Sequence, residues 1–313
     1  MSRGVSPPAG VLPLDKPEGP TSHDIVAAAR KILDTPHVGH AGTLDPMATG
    51  LLVLCVGRAT RLAQFLTARD KVYAGHLRLG WETDTLDRTG TQTTDRCAVG
   101  ATELEIREAM RALEGSSRQV PPAFSAKRVG GTRAHELARS GAPPTLEAVD
   151  VRVDEFRAAE IGGDEVAFEV HCSAGTYVRS LVRDLGRALG CGAHLTALRR
   201  TQSGTLPLSA ATTLERLRDG ARRGAPWSDL IPAGEVDLGM PMVRVGSEAA
   251  LRLAHGRALE LGDWDGPAPP HEALCRVIDA RGALVAVARS VAGPGDAGRL
   301  CPHRVFIQPS ECH

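Results

Sequence analysis

The hydrophobic positions of this chain change period several times, and each change marks an element. Residues 11–14 form a short apolar strand. Thr21 and Ser22 then offer N-cap hydroxyls to a helix running to about residue 33, with Ile25, Val26, Ala29 and Ile32 on its buried face. Residues 51–56 are an unbroken apolar run, read as a strand, and a helix over about 59–66 follows. Across 72–79, Val72, Ala74 and His76 alternate with Tyr73, Gly75 and Leu77, the period of a strand. Residues 83–100 are polar and turn-rich; Leu104, Ile106, Met110 and Leu113 then give an amphipathic helix over 103–113. The Pro-, Gly- and Arg-rich stretch 120–144 reads as a long loop with one helical turn, and loops of that length inside compact proteins usually serve a function or are disordered. Residues 149–156 and 165–172 read as paired strands turning at Gly162-Gly163. Gly175 and Thr176 supply a turn and an N-cap for a helix over 176–189, ended by Gly190, and 195–204 returns as a strand. A boundary falls near 232–237. Beyond it, short strands at 242–245, 274–278, 284–288 and 304–307 lie between Gly and Pro turns, as in a small β-rich module.

The 313 residues suit one large domain or two smaller ones, and 42% hydrophobic residues suffice for an ordinary core. The formal net charge is zero, so overall charge announces no nucleic-acid partner and only a local patch could hold one. Lysine occurs only at 16, 31, 71 and 127; the other basic residues are arginine, which suits phosphates and bases but also follows from GC-rich coding. The seven cysteines are scattered with no Cys-x-x-Cys pair, which argues against a disulfide framework or zinc site and fits a reducing cytoplasm. Residues 1–10 are polar with two prolines and lack the apolar core of a signal peptide. The apolar run at 51–56 is far shorter than the ~20 residues a bilayer requires.

The densest chemistry lies in 38–50, where Asp45 sits between a glycine-threonine loop and Pro46, just before the apolar run. Gly39, Gly42 and Gly50 permit backbone conformations and close approach that other residues block. A carboxylate held this way can be a nucleophile, a general base or a metal ligand, and it can equally cap a turn. His23, Asp24, His37, His40 and Asp45 are potential ligands, but no His-x-x-x-His pair or downstream cluster completes a set, so no metal is expected. Gly57-Arg58-Ala59-Thr60 opens a helix without the ending of a phosphate loop. Tyr73, one of two tyrosines with Tyr177, is either a core aromatic or a stacking platform for a flipped base. Arg179, Arg183 and Arg187 recur on one helix face. With Arg199 and Arg200 they make five arginines against Asp184 alone, either a solvated stripe or the best candidate for a phosphate-binding surface.

Several blocks, in order, resemble the TruB family of tRNA pseudouridine synthases. Lys16-Pro17-Glu18-Gly19-Pro20-Thr21-Ser22 resembles its Lys-Pro-x-Gly-x-Thr-Ser motif. Gly39-His40-Ala41-Gly42-Thr43-Leu44-Asp45-Pro46-Met47-Ala48-Thr49-Gly50 resembles its signature loop. Gly57-Arg58-Ala59-Thr60-Arg61, Lys71-Val72-Tyr73, Thr83-Asp84-Thr85-Leu86-Asp87 and Gln119-Val120-Pro121-Pro122-Ala123-Phe124-Ser125-Ala126 match the blocks that follow. Gly175-Thr176-Tyr177-Val178-Arg179-Ser180-Leu181 and Leu198-Arg199-Arg200 close a resemblance over about 11–232.

The resemblance implies an α+β pseudouridine synthase fold: a curved mixed or antiparallel sheet with flanking helices and a central cleft. It implies a flexible tail at 1–10, a catalytic domain at 11–232 with an RNA-clamping loop at 119–144, and a PUA-like RNA-binding domain at 233–313. The implied activity is cofactor-independent isomerisation of the T-loop uridine, position 55 of tRNA, by base flipping. Asp45 would be the nucleophile, attacking ribose or base, Tyr73 would stack on the uracil, and Arg179 would orient Asp45. Tyr177 would wall the pocket and His40 would fill the gap left by the flipped nucleotide. Gly42, Thr43, Leu44, Leu198, Lys16, Arg61, Lys127 and Arg128 complete the expected substrate contacts. His135 stands where the family usually carries tyrosine, and Lys127-Arg128 replaces an apolar-lysine pair. The implied partner is the T arm of tRNA, met by a monomer in the cytoplasm with no metal, no membrane and no obligate protein partner. A non-catalytic RNA-binding or RNA-folding protein on the same scaffold is the alternative, though binding alone requires none of Asp45, Tyr73 and Arg179.

Overall fold

The structure, a computed structural model, describes residues 7–125, 127–140, 144–292 and 298–308. In chain order the first half runs β1 (Gly10–Lys16), α1 (Ser22–Ile32), β2 (Val38–Ala41), β3 (Thr49–Val56), a 3-10 turn (Gly57–Leu62), α2 (Ala63–Thr67), β4 (Lys71–Leu79), α3 (Glu103–Ala112) and β5 (Gly115–Gln119). Then come β6 (Arg128–Val129), β7 (Thr132–Arg133), α4 (Ala134–Arg139), β8 (Val149–Gly162), β9 (Glu165–Cys172), α5 (Val178–Ala188), β10 (Ala193–Ser203), β11 (Leu206–Pro207), α6 (Leu214–Arg222) and β12 (Ile231–Pro232). The last part holds β13 (Met242–Val245), α7 (Ser247–Ala254), β14 (Leu259–Glu260), β15 (Trp264–Asp265), β16 (Leu274–Asp279), β17 (Leu284–Ala292) and β18 (Gly298–Val305).

The first ten-stranded sheet has the order β12-β1-β3-β10-β4-β9-β8-β5, with β2 on β3 and β11 on β10. It is mixed because β10 runs parallel to β3 and antiparallel to β4. The second sheet, β14-β18-β17-β16-β13-β15, draws its strands from 242–305.

β3 explains why residues 51–56 are apolar without alternation. Leu52, Leu54 and Val56 enter one core with α1 and α5, while Leu51, Val53 and Cys55 enter another with Ile278, Leu284, Val287 and Phe306 of the second sheet. A strand buried on both faces has no polar side to show. The 3-10 turn after β3 is fastened to the same module, since Arg58 Nη1 donates to Phe306 O at 3.3 Å and Arg61 Nη1 to Val305 O at 2.7 Å.

Several elements depart from the sequence expectation. Residues 38–41 pair with β3 as a strand, which the glycine and histidine of the motif conceal. β5 is a polar edge strand paired only to β8, so no hydrophobic period marks it. α7 buries Ala249, Ala250 and Leu253, two of them too small to stand out as a stripe. The strand expected at 304–307 is β18, which begins at Gly298. The 120–144 stretch carries a two-stranded ribbon, β6 and β7, and the short α4. α5 starts at Val178, not Thr176, with Tyr177 at its N-cap position and no side-chain cap. Gln119 serves instead: its Oε1 accepts from Tyr177 N at 2.9 Å and its Nε2 donates to Tyr177 O at 3.2 Å.

One packing constraint is open to direct test. Gly50 has φ +96°, and a Cβ there would stand 2.4 Å from Arg200 O. Gly50→Ala should cost about 2–4 kcal/mol in urea denaturation. Gly163→Ala, at φ +65° with nothing within 4 Å, should cost only about 1 kcal/mol. Equal losses at the two positions would rule out β10 backbone contact as the constraint.

Candidate active site

The loop 42–48 joins β2 to β3, and its hydrogen bonds fix it from three sides. Ser22 Oγ donates to Leu44 O at 3.1 Å and accepts from Leu44 N at 2.9 Å. Gly19 N donates to Pro46 O at 2.9 Å, and Ala48 N to Asp45 O at 3.0 Å. Arg200 Nη2 donates to Gly42 O at 3.0 Å. Leu44, Met47 and Ala48 are buried beneath. Thr43 is exposed at the rim, and Gly42 sits half-buried with φ +94°.

Asp45 emerges from this loop with its side chain 35% exposed, against 5% for Arg179. Arg179 Nε meets Asp45 Oδ2 at 2.9 Å and Nη2 donates to Oδ1 at 3.0 Å, a bidentate pair that fixes the carboxylate plane. The remaining donors are also used. Nη1 reaches Thr85 O at 2.8 Å, Nη2 reaches Phe124 O at 3.0 Å, and Asp87 Oδ2 lies 3.7 Å from Nη1. Asp87 is itself held by Thr85 Oγ1 at 2.8 Å and by Thr89 N at 2.9 Å.

Tyr73 is 9% exposed and belongs to the main core, so little of it is open to a ligand. Burial raises its pKa, against the opposing pull of the Arg200 guanidinium, so the phenol stays protonated near neutral pH. Tyr177 is partly exposed, and burial raises it while its hydrogen bond to Ser125 pulls the other way. His40 meets His23 edge-on with ring centroids 5.4 Å apart. Its buried Nδ1 has no hydrogen-bond partner, and burial lowers its pKa, favouring the neutral ring. Leu198 is buried opposite Gly75 in the β10–β4 ladder.

Other expected substrate contacts lie elsewhere. Lys16 is fully buried, and its Nζ donates to Pro17 O at 2.8 Å and Pro46 O at 3.3 Å, so it supports the loop from below and presents nothing to a ligand. Arg61 is spent on β18, away from Asp45. Lys127 is half-buried, with its carbonyl accepting from Ala134 N at 2.7 Å. The side chains of Arg128, Arg133, His135 and Arg139 lie outside the described residues.

The five arginines between Tyr177 and Arg200 do not form a free phosphate surface. Arg183 Nη2 is 2.8 Å from Asp184 Oδ1 and 3.3 Å from Val120 O. Arg187 forks onto Glu82 at 2.7 and 2.9 Å, and Arg199 Nη2 donates to Asp15 Oδ2 at 2.7 Å. The helix face expected to meet solvent is only partly open: Arg179 and Arg183 are buried, with the segment around Val120 against them, while Arg187 stays exposed and is paired with Glu82. Among the described residues the one cluster of acids and histidine that could hold a metal is Asp70, Asp154 and His171, where Arg152 already bridges both carboxylates at 2.7–2.8 Å.

Sequence reasoning did not give three residues here their place: Arg200 was read as part of a phosphate-binding surface, and Lys71 only within a matched block. Asp87 was visible only as part of a matched block. Arg200 and Lys71 are buried beneath Gly42: a Cβ on that glycine would stand 3.5 Å from Arg200 Nη1 and 3.9 Å from Lys71 Cε.

With this geometry in place, comparison with known proteins is informative. Residues 30–178 match the N-terminal domain of TruB family pseudouridylate synthases, and 179–225 match the tRNA pseudouridylate synthase B C-terminal domain. The chain is 42% identical over 287 residues to the tRNA pseudouridine synthase B of Solibacter usitatus, covering 90% of this chain and 96% of that protein. It is 45% identical over 258 residues to that of Mycobacteroides abscessus, covering 77% and 86%. Among solved structures, the archaeal box H/ACA sRNP Nop10-Cbf5 complex aligns with TM-score 0.73 and 27% identity, covering 97% of this chain and 88% of that one. A Cbf5-Nop10-Gar1 complex aligns with TM-score 0.75 and 28% identity, covering 97% and 86%. Fold and sequence together put the chain in the pseudouridylate synthase class. It belongs to the TruB family.

Arg179→Lys keeps a cation but loses the fork. A misplaced carboxylate should lower the single-turnover rate on tRNA by about 10²-fold, and a rate unchanged in this variant would dismiss the fork as an orienting device. Lys71 gives a pH signature. Burial and the Arg200 charge lower its pKa from 10.5 to about 8. Between those values the unfolded chain holds a proton that the folded chain has released, so stability rises with pH across the window and lacks that gain below it. Urea denaturation at about pH 7.5 and 9.5 should show this rise in the wild type and a smaller one in Lys71→Met.

Proposed function

We infer that this protein converts a uridine of tRNA to pseudouridine, at position 55 of the T loop, with Asp45 as the nucleophile. The observation that carries this reading is the bidentate Arg179–Asp45 pair, at a partly open site on the loop that matches the family signature. The reaction breaks the bond between ribose C1′ and uracil N1, turns the base within the site, joins C1′ to C5 and releases the C5 proton to solvent. No electron is gained or lost, and as the C5 proton leaves N1 takes one up from solvent, so the product is an isomer of the starting nucleotide. Such a reaction calls for a nucleophilic oxygen held at one angle, a wall against which the freed base can turn, and extraction of the nucleotide from its stack.

The chain supplies each of these. Arg179 fixes both oxygens of Asp45, leaving the exposed side of the carboxylate to face the nucleotide. Tyr73 and Tyr177 flank the site as neutral phenols, Tyr73 meeting the uracil and Tyr177 closing the pocket. Thr43, exposed at the loop rim, and His40, neutral and half-buried, stand where the displaced nucleotide leaves space. The 119–144 segment is the RNA clamp. Its root is bound to α5 by Ser180 Oγ to Val120 O at 2.9 Å and to Arg179 through Phe124 O, so clamp and carboxylate share one anchor. The residues from 233 onward form an auxiliary RNA-binding domain, and the protein acts on the T arm as a single chain in the cytoplasm.

The test is release of tritium from a tRNA transcript labelled at uridine C5. Wild type should release close to one equivalent per tRNA, and Asp45→Asn should release none while still binding the transcript. Binding without release by the wild type would refute the synthase reading and leave an RNA-binding protein.

A further inference from the structure

Arg200 is 1% exposed, in the middle of the first sheet. A buried guanidinium must satisfy its donors or pay heavily for desolvation. Among the described residues no carboxylate pairs with this one. Its Nε donates to Leu51 O at 2.6 Å and its Nη2 to Gly42 O at 3.0 Å. Those carbonyls flank the loop that carries Asp45, Gly42 at its start and Leu51 in β3 beyond its end.

The backbone position of Arg200 is equally pointed. In the antiparallel ladder with β4 it stands directly opposite Tyr73, and in the parallel ladder with β3 it stands opposite Gly50. Residues opposite one another in a ladder project to the same face. The Arg200 side chain and the Tyr73 ring therefore share the face beneath the Asp45 loop, and the guanidinium charge acts on the Tyr73 phenol. One residue thus bonds the start of the loop at Gly42 and β3 beyond its end at Leu51, and stands opposite the aromatic that flanks the site.

We propose that Arg200 is a positioning residue of the reaction, holding the Asp45 loop and the Tyr73 ring in one frame through a fork that lysine cannot reproduce. The proposal rests on the synthase reading above. Lysine would keep the charge and most of the stem, but its single nitrogen cannot span the two carbonyls in fixed directions beside Tyr73. The cost should appear in the chemical step rather than in RNA affinity, because Arg200 is buried away from any ligand.

The test uses the full-length protein and its two tyrosines. Labelling tyrosine with 13C at Cζ gives two phenol resonances, and Tyr177→Phe assigns the one from Tyr73. In Arg200→Lys the Tyr73 resonance should move while that of Tyr177 holds. The single-turnover rate of tritium release should fall by about 10²-fold, with tRNA affinity within about twofold of wild type. In a Tyr73→Phe background the further loss caused by Arg200→Lys should shrink, since one of the groups it positions has been removed. If Arg200→Lys does not yield folded protein, Arg200→Gln, which is neutral but still donates, is taken through the same measurements. An unmoved Tyr73 resonance, or a rate loss unchanged by Tyr73→Phe, overturns the proposal. Wild-type protein that releases no tritium refutes the synthase reading instead, a result visible before any Arg200 variant is compared.

Discussion

One buried guanidinium joins three stretches of chain that share no hydrogen-bond ladder. Arg179 grips Asp45 from the β2–β3 loop, Thr85 O from the segment after β4, and Phe124 O from the segment after β5. None of these stretches is a regular element at the point of contact, so none would hold its place by backbone pairing alone. The interaction is not an efficient source of stability, because taking a cation and two carboxylates out of water costs about what their attraction returns. It is a geometric device. Removing Arg179 would leave two carbonyls and two acids without their common partner, and the loop, the turn-rich segment and the clamp root would lose their mutual reference.

The sheet makes that device possible. β10 is its central strand, parallel to β3 and antiparallel to β4, so it lies beside both the end of the Asp45 loop and the strand that carries Tyr73. Gly50 is required because Arg200 backbone atoms occupy the space a side chain would need, and Gly75 because Phe168 Cζ and Ala197 O close in to 2.6 and 2.7 Å. α5 follows β9 and lays Arg179 across the sheet toward the loop. The second sheet contributes from the far side: Leu284, Val287 and Phe306 cover the odd-numbered side chains of β3. The strand that fixes the end of the loop is thereby clamped between two cores.

Much of this was legible in the residues. Thr21, one of the two hydroxyls offered as N-cap, caps α1, the alternation in 72–79 is β4, and Gly163 with φ +65° turns β8 into β9. Asp45 and Arg179 were legible as a pair through the family motif. What escaped is what sequence period cannot carry. β5 is an exposed polar edge, and β2 hides in a glycine-histidine motif. α7 relies on alanines. The partners of the arginines are set by segments distant in sequence, such as Glu82 for Arg187 and Asp15 for Arg199. A four-residue spacing announces a helix face. It does not say whether water or another stretch of chain lies against it.

The choice of arginine over lysine then acquires a physical meaning. Arg200 and Lys71 lie on the same face of the sheet beneath Gly42, both nearly inaccessible. Lys71 yields to burial, its pKa falling to about 8, and its ammonium is satisfied by the carbonyls of Thr67 and Arg69. Arginine offers what lysine does not, a planar guanidinium with several donors in fixed directions. A cation that must point at several acceptors at once is therefore best made of arginine. In this chain arginine is often part of the scaffold itself: Arg30 holds Val38 O at 2.7 Å, Arg107 holds Ala158 O at 2.8 Å, and Arg276 holds Val236 O at 2.5 Å. A neutral chain rich in arginine need not have a basic surface, because these cations are turned toward its own backbone.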